Sequence, residues 1–238
     1  MNKLIIVLVL ATSIAHGADV LGVGDSIAKG SPGYPTDESS QIWHHLSNTL
    51  SITYANEGVN SSTSRGVDRR IQGELDLYKP SYVVVHVGIN DIATDVDIDA
   101  YLSNMDSIVK KCRGAGAYVI VGEILPCSNY SNDVVVWNAE LYKWAKKNKV
   151  RFAETHGGMT DRELYADSVH PNAEGYAVLA CLYAKSFLPK LDIVDGEVSY
   201  NTLPGKTYEL QYSSNLVDWV EVPDDKGSFG VYRVVMTN

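Results

Sequence analysis

The chain has 238 residues, 45% of them hydrophobic, enough for one substantial core with a small appendage and too few for two full-sized domains. Lysine and arginine number 20 against 29 aspartates and glutamates, a net charge of -9, which argues against a nucleic-acid backbone as the main partner. The composition excludes a disordered chain, and only three cysteines, Cys112, Cys127 and Cys181, exclude a disulfide scaffold.

Residues 1–17 read as a secretory signal peptide, with Lys3 ahead of an unbroken apolar run at 4–10 and small residues at Ala15 and Gly17. That run falls far short of the roughly 20 residues a membrane-spanning helix needs, so the expectation is an exported protein, secreted or periplasmic, with no membrane anchor. From there strand and helix patterns alternate. Short runs rich in β-branched residues at 20–24, 52–56, 82–87, 118–122 and 150–152 read as buried parallel strands. Helices are expected at 41–50, 67–77, 98–114, 134–147 and 172–188. The alternation implies right-handed crossovers and a five-stranded parallel sheet covered by helices on both faces. After Pro189 the pattern changes to short alternating strands at 197–200, 208–212, 219–222 and 231–236. The predicted organisation is a signal peptide (1–17), an α/β domain (18–190) and a small β-rich module (191–238). Tyr212, Trp219 and Tyr232 in that module suit either internal packing, the favoured reading, or contact with polysaccharide.

In an open α/β sheet the ligand crevice lies at the carboxyl ends of the strands. Four segments stand at such junctions: Gly24-Asp25-Ser26, Asn56-Glu57-Gly58, Gly88-Ile89-Asn90-Asp91 and Asp167-Ser168-Val169-His170. Each alone is an ordinary turn or helix start. Together they supply the groups that acyl transfer from an ester requires. Ser26 is the candidate nucleophile, His170 the base that takes its proton, and Asp167 the carboxylate that orients the imidazole. The N–H groups of Ser26 and Gly58 and the side-chain amide of Asn90 are candidate donors to an oxyanion. Gly58 suits that place because it has no Cβ between substrate and backbone.

With these four blocks the chain resembles the SGNH, or GDSL-type, hydrolase family, whose signature serine, glycine, asparagine and histidine fall on Ser26, Gly58, Asn90 and His170. The resemblance spans about residues 19–189. It implies a flavodoxin-like three-layer α/β/α sandwich and a Ser-His-Asp hydrolase that needs no cofactor. Two positions depart from the family: the segment after Gly58 reads Val59-Asn60-Ser61-Ser62, where many members have a further glycine, and Ala28 stands where a small hydroxyl residue is common. Both bear on the shape of the cleft and not on the reaction.

Competing motifs fail on spacing. Gly22-Val23-Gly24 follows a strand, but Ile27 occupies the third glycine position of a dinucleotide fingerprint. Ala28 replaces the last glycine of an α/β-hydrolase elbow. His44 and His45 are adjacent on a helix and lack a third ligand, so no metal is expected. His86 reads as a core histidine, His156 as a solvent-exposed loop residue, and Cys112 and Cys181 as buried apolar side chains.

The substrate pockets should come from loops 29–36, 60–65, 92–97 and 126–133, which are mostly small and polar, with Arg65 suited equally to an anionic substrate or to nearby acids. Ile92, Val96 and Tyr130 are isolated apolar candidates, and a long acyl chain needs a continuous apolar trough. The expected substrate is a small-molecule or carbohydrate ester with a short acyl group, acetyl first. A lysophospholipid or longer-chain ester is the second reading, and a non-catalytic glycan- or surface-binding protein on a hydrolase fold is the third.

Overall fold

The computed structural model describes residues 17–33 and 36–187, together with the strands at 191–194, 197–200, 208–213, 220–221 and 231–236. The expected signal peptide therefore lies outside the described residues, apart from Gly17. So do the side chains of Tyr212, Trp219 and Tyr232.

Strands β1 (Val20–Gly24), β2 (Tyr54–Gly58), β3 (Tyr82–His86), β4 (Tyr118–Gly122) and β5 (Arg151–Ala153) form one sheet in the order β2-β1-β3-β4-β5. Every pairing is parallel. The chain steps from β1 outward to β2, then back across β1 to β3, so the direction of winding reverses between β1 and β3. A crevice opens at such a reversal, beyond the carboxyl ends of the two strands.

Helices cover both faces because β1, β3 and most of β4 are apolar on both sides. On one face α3 (Ser64–Tyr78), α5 (Ile98–Gly114) and α6 (Ser131–Lys147) bury Val67, Ile71, Met105, Ile108 and Leu141 against Val23, Val83, Val85 and Val121. On the other, α2 (Ile42–Leu50) packs against α7 (Ala173–Ala184). Trp43 from α2 lies so close to the sheet that a Cβ on Gly22 would stand 2.1 Å from its ring. Its indole N–H donates to the Ala28 carbonyl at 2.7 Å, so this wholly buried side chain keeps its polar group satisfied.

The expected elements are present with shifted ends. The second strand begins two residues later than the apolar run, because the Ile52 N–H closes α2 by donating to the Ser47 carbonyl and Ser51 adopts a left-handed φ of 52°. Helix α3 starts three residues earlier than its apolar period, with Thr63 as its N-cap. Helix α7 ends at Ala184 instead of 188. Two short helices, α1 (Ser26–Lys29) and α4 (Ile89–Ala93), were not expected, since four or five residues are too few to display a 3.6-residue period.

The strands that follow belong to a separate unit beginning at Phe187. An antiparallel hairpin pairs β6 (Leu191–Val194), which the sequence pattern missed, with β7 (Glu197–Tyr200). A three-stranded antiparallel sheet has the order β10-β8-β9, from β8 (Tyr208–Ser213), β9 (Val220–Glu221) and β10 (Val231–Met236).

Candidate active site

Ser26 opens α1 directly after β1. Gly24 makes the turn with φ 154°, where a Cβ would stand 1.9 Å from the His86 carbonyl oxygen, so only glycine fits. Asp25 caps α1, its Oδ1 accepting the Ile27 N–H at 2.9 Å. Half-buried Ser26 is thereby held at the start of a helix, where its own N–H has no acceptor within the helix.

His170 comes from the loop before α7, 144 residues away. Its Nε2 lies 2.8 Å from Ser26 Oγ, within the range of a working hydrogen bond. Its Nδ1 lies 2.8 Å from Asp167 Oδ2. The other carboxylate oxygen, Oδ1, accepts the backbone N–H groups of Val169 at 2.7 Å and His170 at 2.8 Å. Desolvation opposes ionisation of Asp167, yet these N–H groups and the imidazole outweigh it and hold the carboxyl down at about 2. The loop is itself fastened: Arg162 Nη2 donates to the Asp167 carbonyl at 2.7 Å, and Asn172 caps α7 through the Gly175 N–H at 2.9 Å.

The structure brings Ser26, His170 and Asp167 into one hydrogen-bonded chain. It treats the oxyanion candidates unequally. Asn90 donates one amide hydrogen to the Ser62 carbonyl at 3.0 Å, leaving a second on the same nitrogen. The Gly58 N–H donates to Asn56 Oδ1 at 3.0 Å, so serving an oxyanion would require this bond to be shared or exchanged. Packing also requires glycine at 58: a Cβ there would stand 2.1 Å from the Lys29 backbone nitrogen.

Several residues that fasten the site carried no assigned role in the sequence. Asn56 Nδ2 donates to the Lys29 carbonyl and to Gln41 Oε1, tying β2 to α1 and α2. Asp91, fully buried, accepts the Ser64 N–H and hydroxyl, and Asn104 donates to the same hydroxyl. Burial pushes the Asp91 carboxyl up against the pull of these Ser64 bonds. Arg70 donates to the Gly24 and Glu57 carbonyls and pairs with Glu74, clamping the ends of β1 and β2. Tyr176 donates to the Ser31 carbonyl at 2.6 Å. An aspartate after a strand or an arginine within a helix has many structural uses, and only the fold identifies these partners.

The remaining candidates divide. His86 is buried with Nδ1 2.6 Å from the Tyr183 hydroxyl, and burial lowers it to about 4. His156 is half-buried and not exposed, and its backbone N–H donates to Glu123 Oε2 at 2.7 Å. Cys112 is buried, and burial pushes its thiol up to about 12. Cys181 is exposed, contrary to expectation, since α7 turns that position outward. His44 pairs with Glu38 at 3.3 Å, while His45 Nε2 meets the Ser39 carbonyl at 2.7 Å. Among the described residues no three His, Cys, Asp or Glu side chains cluster as metal ligands would.

The chain matches the model of the GDSL-like lipase/acylhydrolase family over residues 23–178. An acetylxylan esterase from Geobacillus stearothermophilus is 22% identical over 202 residues, covering 70% of this chain and 92% of that protein. The platelet-activating factor acetylhydrolase IB subunit alpha2 of Homo sapiens is 29% identical over 174 residues, covering 67% of this chain and 71% of that protein. Solved structures with the same fold include a putative lipolytic protein of the G-D-S-L family from Desulfitobacterium hafniense DCB-2, at TM-score 0.64 and 21% identity, covering 70% of this chain and 98% of that one. Another is the acetylxylan esterase Axe2 from Geobacillus stearothermophilus, at TM-score 0.59 and 20% identity, covering 72% of this chain and 94% of that one. With its family signature falling on the crevice of a five-stranded parallel α/β fold, this chain belongs to the GDSL-like lipase/acylhydrolase family and is a carboxylic ester hydrolase.

Proposed function

We propose that the protein is an exported serine esterase that removes short acyl groups, acetyl foremost, from carbohydrate esters, with Ser26 as nucleophile, His170 as base and acid, and Asp167 as orienter. The observation that carries this reading is the hydrogen-bonded chain Ser26–His170–Asp167, at 2.8 Å in both links. Ser26 Oγ attacks the ester carbonyl carbon as its proton passes to His170 Nε2, and Asp167 steadies the imidazolium. The Ser26 N–H and the second amide hydrogen of Asn90 are the readiest donors to the oxyanion, with Gly58 joining if Asn56 yields its bond. Collapse of the intermediate expels the alcohol, which takes the proton from His170 and leaves an acyl-Ser26. Water, deprotonated by His170, then attacks this ester and releases the carboxylic acid.

Two features support a short acyl group. Ile92 is buried, and Val96 packs against the sheet core, so two of the three apolar candidates for an acyl trough are consumed by the fold. The names of both relatives denote acetyl esters as substrates. Export rests on the signal-peptide pattern of residues 1–17.

Release of p-nitrophenol from acetate and palmitate esters by the purified protein tests the reading. The expected result is turnover of acetate well above palmitate, reduced by roughly 10⁴-fold or more in Ser26→Ala. Faster turnover of palmitate would overturn the short-chain assignment, and undiminished turnover in Ser26→Ala would overturn the nucleophile.

A further inference from the structure

At the amino ends of β3, β4 and β5 lies a cleft of about 340 Å³ whose lining includes Tyr82, Arg113, Tyr118, Lys149 and Arg151. It stands at the opposite end of the sheet from Ser26, with roughly 13 Å of strand between the two ends. Among the described residues no acidic side chain lines it, although the chain as a whole carries -9. Arg113 and Lys149, gathered at one cleft of an acidic protein, make a local positive field.

Tyr82 and Tyr118 are register partners on adjacent strands, and their rings stack at 5.4 Å between centroids with 26° between planes. Tyr82 is buried and supports the pair from beneath, while Tyr118 is 62% exposed. A large aromatic ring at the first residue of an interior strand thus covers Tyr82 with one face and leaves most of its surface open to solvent. Arg113, just before the α5 terminus, donates through Nη2 to the Asn148 and Lys149 carbonyls at 2.9 Å. That anchorage fixes the guanidinium at the rim of the cleft.

We propose that this cleft is a second binding site, distinct from the hydrolytic crevice, for a uronic acid unit of a polysaccharide. The sugar ring lies on the exposed face of Tyr118, and its carboxylate meets the Arg113 and Lys149 cations. A flat aromatic surface accepts the apolar face of a pyranose. A planar carboxylate matches guanidinium geometry better than it matches a point charge. A uronic acid chain has one charge per ring, whereas a nucleic acid, with a charge about every 1.7 Å, would meet repulsion from the acidic remainder of the protein. The choice of a sugar as the ring rests on the carbohydrate-ester reading above. Such a site would hold an acidic polysaccharide while the crevice works on esters of the same or a neighbouring chain.

Calorimetric titration of the full chain carrying Ser26→Ala with a short oligogalacturonide, and with a neutral xylo-oligosaccharide of equal length, tests the proposal. The oligogalacturonide is expected to bind at least ten-fold more tightly. Tyr118→Ala and Lys149→Gln are each expected to weaken it by about ten-fold while leaving p-nitrophenyl acetate turnover of the otherwise wild-type protein unchanged. No binding, equal binding of the neutral sugar, or binding that neither variant weakens would overturn it. So would equally tight binding of inorganic polyphosphate, which would reduce the cleft to a site for charge alone. Because binding is read in the Ser26→Ala background, its failure is distinguishable from failure of the esterase reading, which the turnover assay judges separately.

Discussion

Asp167 holds two things at once: Oδ2 faces the imidazole of His170, and Oδ1 collects two backbone N–H groups of the same turn. One carboxylate therefore shapes the loop and orients the His170 imidazole. With its carboxyl held down at about 2 against an ordinary 3.8, Asp167 contributes stability that is present above about pH 4 and lost only as pH falls through about 2. Asp167 is thus still ionised at mildly acid pH, where loss of turnover must come from another group. Asp167→Asn keeps the size but presents an amide to the imidazole, favouring the wrong tautomer. It is expected to lower kcat by about 10²–10⁴-fold with little change in KM, measured on p-nitrophenyl acetate. A change confined to KM would show that Asp167 does not act on the reacting groups.

At the scale of elements, the site is assembled by contacts between segments that begin and end at the crevice. Helix α3 starts where α4 passes it, and Asp91 of α4 takes the Ser64 N–H and hydroxyl at that start. A buried carboxylate at a helix N-terminus satisfies orphan donors and complements the helix dipole. Because Asn90 precedes Asp91 and donates to the Ser62 carbonyl just before Ser64, this one joint sets the attitude of the Asn90 amide. Asp91→Ala leaves buried donors without acceptors, an expected cost of about 1–3 kcal/mol, seen as a lower midpoint in urea unfolding. A loss of kcat should accompany it while the Ser26 and His170 positions are retained. Unchanged stability would show that Ser64 finds another acceptor.

At the scale of the whole molecule, two buried titrating groups pull stability in opposite directions with pH. His86 is lowered by burial to about 4 from 6.5, so between those values the unfolded chain binds the extra proton and stability falls as pH falls. Asp25 is raised to about 7 from 3.8, chiefly by burial, and its Oδ2 lacks a hydrogen-bond partner among the described residues. Between 3.8 and 7 the folded chain binds that extra proton, and stability falls as pH rises. His86→Gln keeps an acceptor for Tyr183 but cannot titrate. Its melting temperature is expected to fall less than that of the wild type between pH 6.5 and pH 4, as scanning calorimetry would show. Parallel curves for the two proteins would remove His86 from the account.

The sequence by itself determined the class of fold, because strands buried on both faces must be apolar throughout and must alternate with helices when they are parallel. It also marked Ser26, Gly58, Asn90, Asp167 and His170, since each follows a strand or precedes a helix at the crevice end and their blocks together are specific. It was silent where a residue's role depends on a partner far along the chain. That Asp91 receives Ser64, that Arg70 clamps two strand ends, and that the Lys29 backbone leaves no room for a Cβ at 58 were decided by tertiary structure alone. The physical reason is the same in each case. Periodicity and turn chemistry are local properties of a chain, whereas a hydrogen bond across 27 or 46 residues exists only once packing has brought its two ends together.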